Sequence, residues 1–378
     1  MRKILDKLSK KVSPFHPTVW TYGGNLHTLF GDILRGQPKV NYQYESIVAP
    51  DGGVLRLDWT CDDNEEYIGP SKATNSESKV DETHESKTVN PSVLKEVPQK
   101  PEVTNIVLIL PGLTGDSSSG YALQFAEDAL ELGYKAVVMN HRGLSTIPTT
   151  YRFFCATNWE DLELTLKTIH HKYPRCRICA VGVSIGGMVL TNYLVQKSMN
   201  NEETGLAAAF VISIPDSFKA AKSLEKPVPC FMFNRYLTRK LRHIFVRNVQ
   251  GLLKNGIKVP EKHIVDASKA TTIRQFDAAV IAPMFGFRDV DHYYHSASIV
   301  EKPIEDIRTP LLFLSAVDDA FSPIEQIPVE RIKHCDNVAL LLTHTGGHVG
   351  FLEGLIPYGR SYMDRVYKHF IQAVFDEG

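Results

Sequence analysis

A serine bracketed by glycines, Gly182-Val183-Ser184-Ile185-Gly186, is the strongest chemical signal in this 378-residue chain. An apolar run leads into it and an apolar helical pattern follows, so the serine falls on a sharp strand-to-helix turn. Such a turn strains the serine backbone and crowds the positions two residues either side. Glycine at 182 and 186 relieves that crowding, and Gly187 lets the helix pack closely. A hydroxyl presented this way is still a poor nucleophile until a neighbouring base removes its proton.

The base and its acid are expected downstream, in the order Ser, Asp or Glu, His. His348 stands in Gly346-Gly347-His348-Val349-Gly350-Phe351, just after the last expected strand, where glycines let a loop histidine reach the serine. His344 competes, but lies nearer the strand and lacks the glycine bracket; His263, His292, His295 and His334 read as surface or helix residues. For the acid, Leu311–Ala316 reads as a strand ending in Val317-Asp318-Asp319-Ala320-Phe321-Ser322-Pro323. Asp319 is preferred on its spacing from the proline, with Asp318 bracing the turn through backbone N–H groups, although turn chemistry leaves both open.

Acyl transfer through a tetrahedral oxyanion also needs N–H donors. One is expected from Ile185, directly after the serine. The second is expected from Leu113 in Pro111-Gly112-Leu113-Thr114-Gly115-Asp116, where Gly112 permits close backbone approach.

The elements that must position these groups follow from periodicity. Two strands, 40–48 and 54–60, flank the turn-rich Ala49-Pro50-Asp51-Gly52-Gly53. Strands at 104–110, 135–139, 178–183, 206–214, 311–316 and 338–342 then alternate with helices at 121–132, 159–172, 185–197 and 360–375. Apolar strands in repeated βα units imply an α/β fold, a mostly parallel sheet with helices on both sides. Residues 1–39 read as an N-terminal segment and 40–378 as one catalytic domain with two insertions. Residues 62–103, without Phe or Trp, are expected to be a disordered excursion, since little burial could offset their ordering entropy. Residues 215–310 are expected to form a helical cap, or lid, over the carboxyl ends of the strands.

Within that cap, 226–260 carry Lys226, Arg235, Arg239, Lys240, Arg242, Arg247, Lys254 and Lys258 and no acid. Leu237, Leu241, Ile244, Phe245, Val249 and Leu252 recur at helical spacing. An apolar face ringed by cations would rest on a membrane interface; the alternative is a helix packed on the core with a solvated basic face.

Composition narrows the partners. With 42 Lys+Arg against 43 Asp+Glu, the chain lacks the basic excess of a nucleic-acid binder. No apolar run approaches the ~18 residues of a membrane span, and the first residues do not read as a signal peptide. The expectation is an intracellular, cytoplasmic protein with at most peripheral membrane contact. The six cysteines are expected to be free thiols; Cys176-Arg177-Ile178-Cys179 has no second pair for zinc and falls in a strand. No cofactor or metal is called for. His27-Thr28-Leu29-Phe30-Gly31-Asp32 spells H-x-x-x-x-D, a spacing that arises by chance about once in such a chain.

Taken together, these motifs resemble the AB-hydrolase type 4 family of α/β-hydrolases, nearest to the branch of abhydrolase domain-containing proteins 1 and 3 and to YheT-like esterases. The resemblance runs from Gly23-Gly24-Asn25 through Asp51-Gly52, Pro111–Gly115, Asn140-His141-Arg142-Gly143, Gly182–Gly187, Phe276-Asp277 and Asp318-Asp319 to Gly346–Phe351. It implies a serine hydrolase of lipid acyl esters, phospholipase A1-like or a medium-chain acyl esterase, with Ser184, Asp319 and His348 as triad. The N-terminal anchor of the animal members is not read in this sequence, and 62–103 has no counterpart. The same triad would serve alcohol acyltransfer, with an alcohol replacing water. A non-catalytic lipid-binding protein of this fold would more naturally have lost a triad member.

Overall fold

The computed structural model describes residues 1–61, 105–214, 224 and 230–376. The expected excursion at 62–103 and the first part of the expected cap lie outside them.

Eight strands form one sheet in the order β1-β2-β4-β3-β5-β6-β7-β8. These are β1 (Tyr42–Val48), β2 (Val54–Thr60), β3 (Asn105–Leu110), β4 (Lys135–Asn140), β5 (Arg177–Val183), β6 (Ala208–Ile212), β7 (Leu311–Ala316) and β8 (Val338–Thr343). β1 and β2 form an antiparallel hairpin, with Gly52 taking the positive φ that its tight turn requires. From β4 to β8 every neighbour is parallel, which requires a crossover after each strand.

The sheet has no solvent face at its centre, which is why β3 is apolar at every position after Asn105. Ile106, Leu108 and Leu110 point to one side, against α4 (Glu160–Lys172) and α5 (Ile185–Met199). Val107 and Ile109 point to the other, against α3 (Gly120–Glu131) and the closing helix α9 (Tyr362–Phe375), with Ile4 and Leu8 of α1 (Arg2–Lys11) added at its edge. Each fully buried aliphatic side chain stabilises the layer by ~1.5–3 kcal/mol.

α2 (Gly24–Leu34) lies across the carboxyl edge. Arg35, just past its end, is buried with Asp364 at 2.8 and 2.9 Å. Asp364 also completes the capping box of Ser361 at the start of α9, so α2 is clamped to the closing helix. Between β6 and β7, α6 (Cys230–Lys254), α7 (Glu261–Lys269), a short Ile273–Phe276 helix, a π-helical turn at Asp277–Ile281 and α8 (Val290–Ala297) cover that edge. Among the described residues no helix is long and apolar enough to cross a membrane.

Of the two readings of the cap's basic stretch, the structure has the helix packed on the core. The apolar stripe of α6 faces inward: Leu241, Phe245, Val249 and Leu252 are buried in the core, and Leu237 and Ile244 face the cavity beneath. What remains outside is a mixed face, with Arg235, Arg239 and Lys240 exposed beside Met232, Tyr236 and Val246. Burial is the lower-energy use of that stripe, because the apolar sheet edge would otherwise be left wet.

Candidate active site

The strand ends deliver the site. Ser184 leaves β5 with φ 54° and ψ −119°, a strained conformation for a side-chain-bearing residue. A Cβ at Gly182 would press into the backbone of Gly186 and Gly187, and one at Gly186 would collide with the carbonyl oxygens of Leu110 and Pro111. The two glycines are therefore steric requirements of the turn.

His348 lies in the loop after β8. Its Nε2 is 2.9 Å from Ser184 Oγ, and its Nδ1 is 2.9 and 3.2 Å from the two oxygens of Asp319, which is almost fully buried. An ionised carboxylate can only accept, so the proton sits on Nδ1 and the Nε2 lone pair faces the serine hydroxyl. Asp319 Oδ1 also accepts the N–H groups of Phe321 and Ser322, at 2.7 and 3.2 Å. Phe321 then stacks on the imidazole with ring centroids 4.3 Å apart.

Asp318 points away from the imidazole. It accepts from Thr345 Oγ1 at 2.5 Å and from the Gly347 N–H at 3.0 Å, tying the aspartate turn to the histidine loop. His344 lies exposed on the surface, as do His292, His295 and His334. His263 sits on α7 against the Tyr151 hydroxyl.

Leu113 and Ile185 both line the cavity beside Ser184, and among the described residues neither N–H has an acceptor of its own. Gly112 brings the loop against the serine: a Cβ there would touch Ser184 Cβ at 3.4 Å. Two free donors beside the paired serine and histidine have the arrangement that a tetrahedral oxyanion would require.

Several positioning residues escape a reading by motif. His141, after β4, is within 2.9 Å of the Pro111 carbonyl through Nε2, and Tyr121 OH accepts the Gly112 N–H at 2.9 Å. A carbonyl only accepts, so His141 Nε2 carries the proton. Burial pulls its pKa down to about 4 and keeps the ring neutral. Thr28 of α2 accepts the His348 N–H at 2.8 Å, and Ser213 accepts the Val349 N–H at 3.1 Å. His27, the first residue of H-x-x-x-x-D, is buried between Thr21 Oγ1 and the Leu352 N–H, away from the cavity. For His141 the signal in the sequence was the Asn140–Gly143 motif, and for His27 and Thr28 the N-terminal segment that begins at Gly23.

The cavity over Ser184 is about 340 Å³. Its walls are mostly apolar, with Leu113, Phe154 and Met188 below and Leu237, Ile244 and Phe245 above. Polar groups interrupt them, among them Asp32, Asn234, Lys240 and Asn248. Asp277, on the π-helical turn, accepts from Tyr294 OH at 2.8 Å, and burial pushes its carboxyl up to about 7. Among the described residues no cluster could hold a metal ion.

A strained serine between β5 and α5, with an acid after β7 and a histidine after β8, defines an α/β-hydrolase. The family model described as serine aminopeptidase, S33, matches residues 101–348. Phospholipase ABHD3 of Bos taurus is 37% identical over 100% of this chain and 82% of its own length. A monoacylglycerol lipase of Saccharomyces cerevisiae is 27% identical over 94% of this chain and 79% of its own. Among solved structures, the Pyrococcus furiosus esterase Pf2001 is similar at 16% identity and a TM-score of 0.45, covering 83% of this chain and 89% of that one. The chain belongs to the abhydrolase family of α/β-hydrolases and is a carboxylic ester hydrolase.

Proposed function

We propose that this protein hydrolyses acyl esters of lipids through Ser184, His348 and Asp319. The observation that carries the reading is the unbroken line from Asp319 through His348 to Ser184, with both links at 2.9 Å. His348 takes the Ser184 proton as Oγ attacks the ester carbonyl, and the tetrahedral oxyanion is met by the N–H groups of Leu113 and Ile185. His348 then protonates the leaving alcohol. Water then attacks the acyl-enzyme as His348 takes its proton, and His348 returns that proton to Ser184 Oγ as the acid leaves. Asp319 holds the tautomer and stabilises the imidazolium in both halves.

Lipid acyl esters are supported by the mostly apolar cavity and by relatives named as a phospholipase and a monoacylglycerol lipase. In this reading the helices of 215–310 act as a lid. Its exposed Arg235 and Arg239 are drawn to anionic headgroups, so binding to vesicles should rise with their anionic content.

Fluorophosphonate labelling with peptide mapping tests the chemistry. A single adduct on Ser184, absent in Ser184→Ala, is the expected result. No adduct on folded protein would refute an activated serine.

A further inference from the structure

Large apolar side chains crowd one lip of the cavity. Val19 and Tyr22 before α2, Ile33 on it, and Leu355, Ile356 and Tyr358 in the loop before α9 all stand out in solvent, Tyr22 at 93% exposure and Ile356 at 84%. They form one surface, because the two segments are bonded together. Thr18 N–H donates to Leu352 O at 3.1 Å, Trp20 Nε1 to Leu355 O at 3.0 Å, and Gly359 N–H to Leu34 O at 3.1 Å.

Few charges interrupt this surface, and Asp32 is the exposed one on α2. Arg35 is buried on Asp364, Glu353 pairs with Arg365, Arg360 pairs with Glu131, and Asp32 lines the cavity. A monomeric soluble protein rarely leaves such a patch uncovered unless something binds there.

We propose that residues 17–34 and 353–359 form a docking surface that seats the cavity mouth on a lipid surface; the choice of partner rests on the lipid-ester reading above. Position selects the occupant. Thr28, Asp32 and Arg35 line the cavity, while Ile33, one residue further round α2, faces outward. A protein seated on this lip would cover the mouth, whereas a lipid surface would feed it. Tyr22 and Tyr358 present aromatic bodies with polar tips, the side chains favoured at the boundary between headgroups and acyl chains. The apolar stripe of α6 is turned inward, and the apolar side chains it leaves outside, Met232, Tyr236 and Val246 among them, are interspersed with Arg235 and Arg239, so the lip is the surface with fewer charges.

Flotation with pure phosphatidylcholine vesicles at high salt isolates the apolar lip from the cations of the lid. The Ser184→Ala protein, which leaves the lipid intact, should float, and adding Ile33→Ser, Leu355→Ser and Ile356→Ser should lower partitioning about tenfold or more. With Ser184 restored, the triple variant should keep the parent's rate on a water-soluble short-chain ester, showing that its fold is intact. Ile356→Trp should retain flotation and be quenched by lipids brominated on the acyl chain. Three results would overturn the proposal: equal flotation of the triple variant, flotation of the parent on anionic vesicles alone, or self-association of the parent that the triple substitution abolishes. Flotation does not depend on turnover, so an absence of ester hydrolysis would count against the catalytic reading separately.

Discussion

At the carboxyl edge of the sheet, His348 is held by Asp319 and Ser184 through its ring and by Thr28 through its backbone N–H. On the cap side of the same cavity, α6 offers Leu237, Leu241, Ile244 and Phe245, side chains that act through shape and apolar area. The lower wall is fixed by directional bonds to backbone and glycine turns. The upper wall meets the cavity mainly with packed apolar side chains, while α6 is tied down away from those side chains, by Arg247 and Asn248 on the Gly143 carbonyl and by Asn234 accepting the Ile273 N–H. Chemistry that must repeat to a fraction of an ångström belongs on the first, and selection among acyl groups can be left to the second.

The sharpest way to break this comparison is at the paired aspartates. Asp319→Asn should preserve the fold, since Oδ1 can still accept from Phe321 and Ser322, yet turn an amide N–H toward Nδ1 and disfavour the required tautomer. A loss on the order of 10⁴ in kcat is expected on a soluble ester. Asp318→Asn should lose far less, because its contacts are with Thr345 and the Gly347 N–H rather than the imidazole. The reverse ranking would transfer the acid's role.

A smaller effect is expected one step away, at His141. Losing its bond to the Pro111 carbonyl frees the loop carrying the Leu113 N–H, and His141→Ala should lower kcat tenfold to a hundredfold with little change in KM. The same variant has a pH signature. With a folded pKa near 4 against the ordinary 6.5, the unfolded chain takes up a proton first as the solution acidifies. Stability from keeping this ring neutral is therefore full above about pH 6.5 and falls toward pH 4, by on the order of 3 kcal/mol. Urea unfolding at pH 7 and 4.5 should show a smaller acid loss in His141→Ala than in the parent. Equal losses would place the acid sensitivity elsewhere, His27 being the next buried candidate.

Legibility divides along the same line. The strand and helix boundaries, the Gly182–Gly187 turn and the loop around His348 were readable because backbone geometry demands particular residues there, glycine above all. Ser184 and His348 stood out by their glycine brackets and Asp319 by its spacing from Pro323, although the pair Asp318-Asp319 stayed open until the turn itself was seen. Tyr121 and Ser213 left no such mark: each acts by one hydrogen bond to a residue distant in sequence, and any surface tyrosine or serine looks the same. The orientation of α6 was also hidden. Its periodicity shows that a stripe exists, while only the neighbouring Phe153 and Phe276 rings decide that Phe245 turns inward.

The gentlest perturbation falls on the packed wall. Ile244 faces the cavity, and an alanine there enlarges the space over Ser184 without touching the bonds that hold His348 or the Leu113 loop. A methylene in a hydrophobic pocket is worth ~1–3 kcal/mol in discrimination, so the preferred acyl length should move up by one to a few carbons in Ile244→Ala. Turnover of a short soluble ester, which does not reach that wall, should stay within about twofold of the parent. Comparing kcat/KM across an acyl-length series reads both at once. If short and long esters fell together, α6 would be helping to hold the nucleophile and its base, and the division between a bonded floor and a packed roof would fail at this residue.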